Sequence, residues 1–228
     1  MEDRILYVHG FNGSPNGTTG TFIKNFFKDA IIIAPELNLL DYDNTISKLK
    51  DIIKDNTITI VVGHSLGAFY TLALNTDEAF KIVINPCLYP SVEIPKLCPL
   101  ANEWIEKIST AEKILYTHIT GLIRQTTFAI FSNNDELFSY KTVFDEIYGA
   151  SGIKSTKNFI AVEGTHHIPP QSLELGLAAA MEYGKNLQAW SVYGSFNECP
   201  LSIPTLHTMP PSLHRMFFST GYDNGDTV

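Results

Sequence analysis

The chain has 228 residues, 44% of them hydrophobic and 18% charged, with a net charge of −8 at pH 7. That length suits one domain able to bury a sizeable core without disulfide or metal staples. The acidic balance argues against nucleic acid and anionic membrane surfaces as partners, and no apolar run approaches the ~18 residues of a transmembrane helix. Cys87, Cys98 and Cys199 show no C-x-x-C spacing. Their odd number and wide separation predict reduced thiols in a cytoplasmic protein. The acidic start, Met1-Glu2-Asp3-Arg4, leads straight into a strand and predicts no signal peptide.

Taken in order, Arg4–Val8 reads as a buried strand, followed by a turn-rich loop from His9-Gly10-Phe11 to Gly20. Thr21–Lys28 places Phe22, Ile23, Phe26 and Phe27 on one helical face. Ala30–Ala34 is a second strand, ended by Pro35, and Thr45–Lys54 a second amphipathic helix. A β-branched run, Ile58, Ile60, Val61 and Val62, then turns through Gly63-His64-Ser65-Leu66-Gly67 into an apolar helix reaching about Asn75. This is the G-x-S-x-G nucleophile elbow between a strand and a helix. A serine hydroxyl is a weak nucleophile and must be held exposed beside a base. The sharp turn achieves this, and Gly63 and Gly67 leave room for it.

Phe80–Asn85 reads as a fourth strand, stopped by Pro86. Between Cys87 and Gln125 comes an insert, a proline-rich loop and then a helix near Ala101–Ile119. It is too long for an ordinary connection and leaves from the carboxyl end of a strand, which predicts a small helical cap over the site. Thr127–Phe131, the helix Tyr140–Tyr148, the strand Asn158–Val162 and the helix Ser172–Trp190 complete the pattern. Apolar strands alternating with amphipathic helices predict an α/β fold, a mainly parallel, doubly wound sheet with helices on both faces. Residues 1–190 form a single domain on this reading. The tail, Ser191–Val228, carries four prolines and four charged residues among several aromatics. It is too aromatic for a solvated tail and too irregular for a further βα unit.

Function in such sheets gathers at the carboxyl ends of the strands. Asp135 follows the fifth strand and the pair His166-His167 follows the sixth, in the order nucleophile, acid, base. Gly164-Thr165-His166-His167 meets the G-x-x-H spacing at His167, which is therefore the expected base, with His166 in reserve and Glu136 as reserve acid. The backbone N–H groups of Phe11 and Leu66 are the expected oxyanion donors. The histidine pair lacks the spaced ligands of a zinc site, so no metal is expected.

The segments LYVHGFNGSP, VVGHSLGAFY, VINPCLYP, NNDELFSY and VEGTHHI, spanning about Ile5 to Ile168, resemble the α/β-hydrolase superfamily. More narrowly they resemble the small bacterial YqiA/YcfP-like esterases. The resemblance implies a serine esterase with a Ser–Asp–His triad, a short cap and no cofactor. It matches Ser65 to the nucleophile, Asp135 to the acid and Phe11 to the oxyanion donor. Members usually carry glycine or asparagine just before the histidine, where this chain has His166. The leading expectation is hydrolysis of short carboxylic esters or thioesters through an acyl-enzyme on Ser65, with a small-molecule substrate, no nucleic acid and no membrane span. An acyltransferase using the same triad and a non-catalytic binding protein on a hydrolase scaffold are the alternatives.

Overall fold

A computed structural model describes residues 3–74, 79–100, 102–149 and 157–193, with side chains to 187. Six strands form its sheet: β1 (Arg4–Val8), β2 (Ile31–Ile33), β3 (Ile60–His64), β4 (Phe80–Ile84), β5 (Thr127–Ser132) and β6 (Phe159–Val162). All pair in parallel, in the order β2-β1-β3-β4-β5-β6. The central strands β3 and β5 are buried along their whole length. That is why they read as unbroken apolar runs rather than as alternating ones.

Among the described residues, eight helices connect and cover the strands: α1 (Thr18–Phe26), α2 (Tyr42–Asn56), α3 (Leu66–Ala73), α4 (Pro90–Leu97), α5 (Asn102–Thr117), α6 (Gly121–Gln125), α7 (Lys141–Tyr148) and α8 (Pro170–Tyr193). They split the core in two. One face of the sheet packs Ile5, Tyr7, Val62 and Ile130 against Ile23 of α1 and Leu173 and Leu177 of α8. The other packs Leu6, Val61, Val83 and Ala129 against α2, α3, α5 and α7. The doubly wound expectation holds.

Several boundaries differ from the sequence reading, for local reasons. α1 begins at Thr18 rather than Thr21, because Gly20 lies inside the helix and not in the loop. A Cβ there would meet the Pro15 carbonyl oxygen at 2.4 Å, so the glycine permits close packing of the first turn. α2 begins at Tyr42 because Asp41 caps it, its side chain accepting from the Asn44 N–H. α8 begins at Pro170, where a missing N–H costs nothing, and runs to Tyr193. Residues 194–228 of the proposed tail lie outside the described residues, as do Asn75 at the expected end of α3 and Cys199.

The largest correction concerns the insert. Its proline-rich lead-in is a helix, α4, and not a loop. Pro90 starts the helix, Pro95 falls in its last turn, and the fully buried Ile94 ties it to the core. The helix near Ala101–Ile119 is α5, with Trp104, Ile108 and Ala111 buried as expected. Glu112 of α5 is also buried. One carboxylate oxygen accepts the Ser91 N–H and the other the Ser91 hydroxyl, both at 2.7 Å, which fastens α5 to the first turn of α4. Burial raises the Glu112 carboxyl from 4.5 to about 7. Tyr140 donates to Glu93 of α4 at 2.7 Å, joining the insert to the chain just after Asp135.

Candidate active site

At the end of β3 the chain enters α3 through Ser65, whose φ of 57° and ψ of −122° are rarely adopted by a side-chain-bearing residue. Such a conformation costs of order 1–3 kcal/mol and must be imposed by its surroundings. Here the Ser65 N–H donates to Ile84 O at 2.9 Å, and its carbonyl accepts from Ala68 and Cys87 at 3.0 and 3.1 Å. Room for the turn comes from the flanking glycines. A Cβ on Gly63 would meet Thr71 Oγ1 at 2.3 Å, and one on Gly67 would meet His9 O at 2.2 Å.

Three strand ends converge on this serine. His166 Nε2 lies 3.0 Å from Ser65 Oγ, and His166 Nδ1 lies 3.0 and 3.1 Å from the two carboxylate oxygens of Asp135. The expectation for the base is corrected: the histidine between Ser65 and Asp135 is His166, and His167 is turned outward and exposed. The reason is in the backbone. The N–H of His166 donates to Glu136 Oε2 at 2.8 Å, and its carbonyl accepts from Asn85 Nδ2 at 3.0 Å. Gly164, with φ near +149°, lets the loop reach those anchors one residue early. Glu136, the reserve acid, therefore holds the main chain of His166 and not its ring. Ser65 and His166 are nearly inaccessible, 6% and 4% exposed.

The loop after β1 is brought against the serine. A Cβ on Gly10 would stand 3.0 Å from Ser65 Cβ. His9 Nε2 accepts the Leu37 N–H at 3.2 Å, which leaves Nδ1 to carry the proton and donate to Gly10 O at 2.9 Å. His9 thus braces the loop that carries Phe11. Leu66, the other expected oxyanion donor, is the first residue of α3. Its N–H is one of those that a helix leaves without an internal acceptor.

The electrostatics favour an ionised acid beside the imidazole. Burial alone would raise the Asp135 carboxyl, but hydrogen bonds from His166 and from the N–H groups of Phe138 and Leu137 outweigh it and hold it below its ordinary value. His64, whose ring centroid is 5.3 Å from that of His166, is lowered to about 3 by its own burial, with the neighbouring His166 adding to the effect. It stays neutral near pH 7 and places no second cation beside the imidazolium. Phe138 meets the His166 ring edge-on, centroids 5.0 Å apart.

A pocket of about 170 Å³, lined by Thr18, Phe22, His167, Ile168, Pro170 and Leu173, adjoins the base loop. Neither this pocket nor a larger groove of about 480 Å³ between α2 and α5 is lined by Ser65, Asp135 or His166. His118 is exposed and also lies outside the site, and His207 and His214 lie outside the described residues. No group of metal-ligating side chains occurs among the described residues.

Residues 4–167 match the model of an uncharacterised protein family, UPF0227. The chain belongs to that family. Every residue of the Ser65–His166–Asp135 constellation falls within the matched span. No match was found among curated proteins. The chain is similar in structure to Est1E from Butyrivibrio proteoclasticus, with a TM-score of 0.56 and 14% identity over 82% of this chain and 89% of that one. It is also similar to TT1662 from Thermus thermophilus, with a TM-score of 0.55 and 12% identity over 80% and 89% of the two chains. An esterase of Pyrococcus furiosus gives a TM-score of 0.52 and 16% identity over 83% and 82%. The fold of this UPF0227 member is the α/β-hydrolase fold.

Asn85 was missed as a site residue by sequence reasoning, although it stands in the segment VINPCLYP. Its usual role, ending a strand before a proline, concealed any other. The buried Glu112–Ser91 pair was also missed, because α5 reads as an ordinary amphipathic helix with its glutamates outward.

Proposed function

We propose that this protein is a serine hydrolase acting on carboxylic esters or thioesters of short acyl groups. The observation that carries the reading is the unbroken path from Ser65 Oγ to His166 Nε2 and from His166 Nδ1 to Asp135. In the first half-reaction, Ser65 attacks the acyl carbon as its proton passes to His166 Nε2. The developing oxyanion is met by the Leu66 and Phe11 N–H groups. His166 then returns the proton to the departing alkoxide or thiolate, leaving an acyl-enzyme. Water, deprotonated by the same nitrogen, attacks the ester carbonyl and frees the acid and Ser65. Asp135 stays ionised throughout and stabilises the imidazolium. No cofactor takes part in this scheme.

Short acyl groups are favoured by the closeness of Phe138 to His166 and by the near-complete burial of Ser65. A fluorophosphonate probe should label wild type at Ser65 and leave Ser65→Ala unlabelled. Turnover on p-nitrophenyl esters should peak between acetyl and hexanoyl. Labelling that persists in Ser65→Ala refutes the nucleophile, and turnover rising steadily to palmitoyl refutes the chain-length preference.

A further inference from the structure

Asn85 follows β4 directly, and β4 pairs with β3 through Ile84 and His64, so Asn85 and Ser65 leave the sheet side by side. Both have positive φ, 40° at Asn85. Asn85 is only 1% exposed. Asparagine tolerates this left-handed backbone better than most residues because its short amide bonds locally. Here that amide is committed on every side. Oδ1 accepts the Ser132 N–H at 2.8 Å. Since a backbone N–H can only donate, this bond fixes which end of the amide is oxygen. Nδ2 then donates to Ser132 Oγ at 2.8 Å and to His166 O at 3.0 Å, with Thr165 O at 3.4 Å as a longer contact. The Asn85 N–H donates to Ile130 O at 2.8 Å, which fastens the residue to β5 as well.

We propose that Asn85 is the positioning residue of the general base, setting the place of His166 through the base's own carbonyl. This rests on the hydrolase reading of Ser65, His166 and Asp135. The logic is geometric. A histidine ring with two good hydrogen bonds can still swing if its backbone drifts, and the β5–β6 ladder ends at Val162, with the Asn134 N–H on Gly164 O at 3.1 Å as the tie beyond it. Glu136 holds the N–H of His166 from the acid loop, and Asn85 holds the carbonyl from the end of β4. The second anchor is referenced to the strand beside the nucleophile, so it sets the imidazole relative to Ser65 and not merely relative to Asp135. Glycine would supply the φ without the donor. Aspartate would supply the shape and the Ser132 acceptor, with an oxygen in place of the donor. Asparagine has all three properties.

The test uses the full chain carrying Asn85→Gly or Asn85→Asp. Four quantities are read: kcat and KM for p-nitrophenyl butyrate, the rate of fluorophosphonate labelling at Ser65, and the downfield proton resonance of the His166 Nδ1–H bonded to Asp135. A misplacement near 1 Å costs about 100-fold in rate. Both variants should therefore lose roughly 10- to 100-fold in kcat and in labelling, with KM within about threefold. Their Nδ1–H resonance should shift and broaden while circular dichroism keeps its wild-type form. Unchanged kcat with an intact resonance overturns the proposal. So does loss of fold in both variants together with turnover, which would make Asn85 a structural residue only. If wild type itself neither turns over nor labels, the hydrolase reading fails. The resonance alone then judges Asn85: intact in the variants, it overturns the positioning role, and shifted, it upholds that role for His166.

Discussion

Gly67 offers a sharp test of how the elbow is built. A Cβ at this position would stand 2.2 Å from His9 O, 2.3 Å from Val8 O and 2.8 Å from Val8 C. An ordinary C···O contact is about 3.3 Å, so an alanine overlaps two backbone oxygens by roughly 1 Å. Neither oxygen is free to turn away, because Val8 pairs with Gly63 of β3 and His9 follows it directly, its ring tied to Gly10 O and the Leu37 N–H. Either α3 or the His9-Gly10-Phe11 loop must shift by about that distance. Overpacking of this kind typically costs ~1–3 kcal/mol. It also moves one proposed oxyanion donor relative to Ser65, for which a 1 Å error costs about 100-fold in turnover. Gly67→Ala should therefore unfold at lower urea with an unchanged m value and hydrolyse p-nitrophenyl butyrate about 100-fold more slowly. Gly121→Ala is the control, since nothing lies within 4 Å of a Cβ built there, and it should leave both quantities near wild type. Wild-type stability and turnover in Gly67→Ala would refute the account of the elbow.

His166→Ala should lower turnover by roughly four to six orders of magnitude, the usual cost of removing a triad base, whereas His167→Ala should stay within about threefold. Equal losses in steady-state assays of the two variants would contradict the assignment. Glu112 should make the insert sensitive to pH. Its folded-state carboxyl lies near 7 against an ordinary 4.5, so its contribution is intact below pH 4.5 and is lost as pH rises toward 7. A shift of that size corresponds to at most about 3 kcal/mol. Urea midpoints measured from pH 4.5 to 8 should fall less steeply in Glu112→Gln than in wild type; parallel curves would refute the claim. Asp135 acts in the opposite sense. Its folded carboxyl is held below the ordinary value, so its contribution is present at neutral pH and lost on acidification. Asp135→Asn should flatten the acid limb of stability below pH 4, and an unchanged limb would count against the bonds from His166, Phe138 and Leu137.

The elements legible in the sequence were those written in local pattern. β1 was read to the residue, because Ile5–Val8 is a closed apolar run with polar neighbours. Ser65 and Asp135 were legible because each follows a buried strand, and parallel strands send their carboxyl ends to one edge of the sheet. The choice between His166 and His167 was not local. It depends on Glu136, thirty residues earlier, and on Asn85, eighty-one residues earlier, seizing the backbone of His166. A spacing rule carries no information about either partner. α4 reads as a loop in the sequence because its prolines have the look of helix breakers. Its first proline occupies a helix start, and burial of Ile94 outweighs the second. Gly20 misled for a related reason: it serves close packing against Pro15 and not a turn.

The constellation also has a consequence for how the chain gains activity. Ser65 can take up its elbow as soon as β3 and α3 meet, but its partner His166 is 101 residues away along the chain. Closing so long a loop is slow compared with forming any helix. The base cannot be seated until β4, β5 and β6 have all joined the sheet in register. Refolding followed by helical circular dichroism should therefore run ahead of refolding followed by ester hydrolysis. The interval between the two signals measures the time taken to add the last strands.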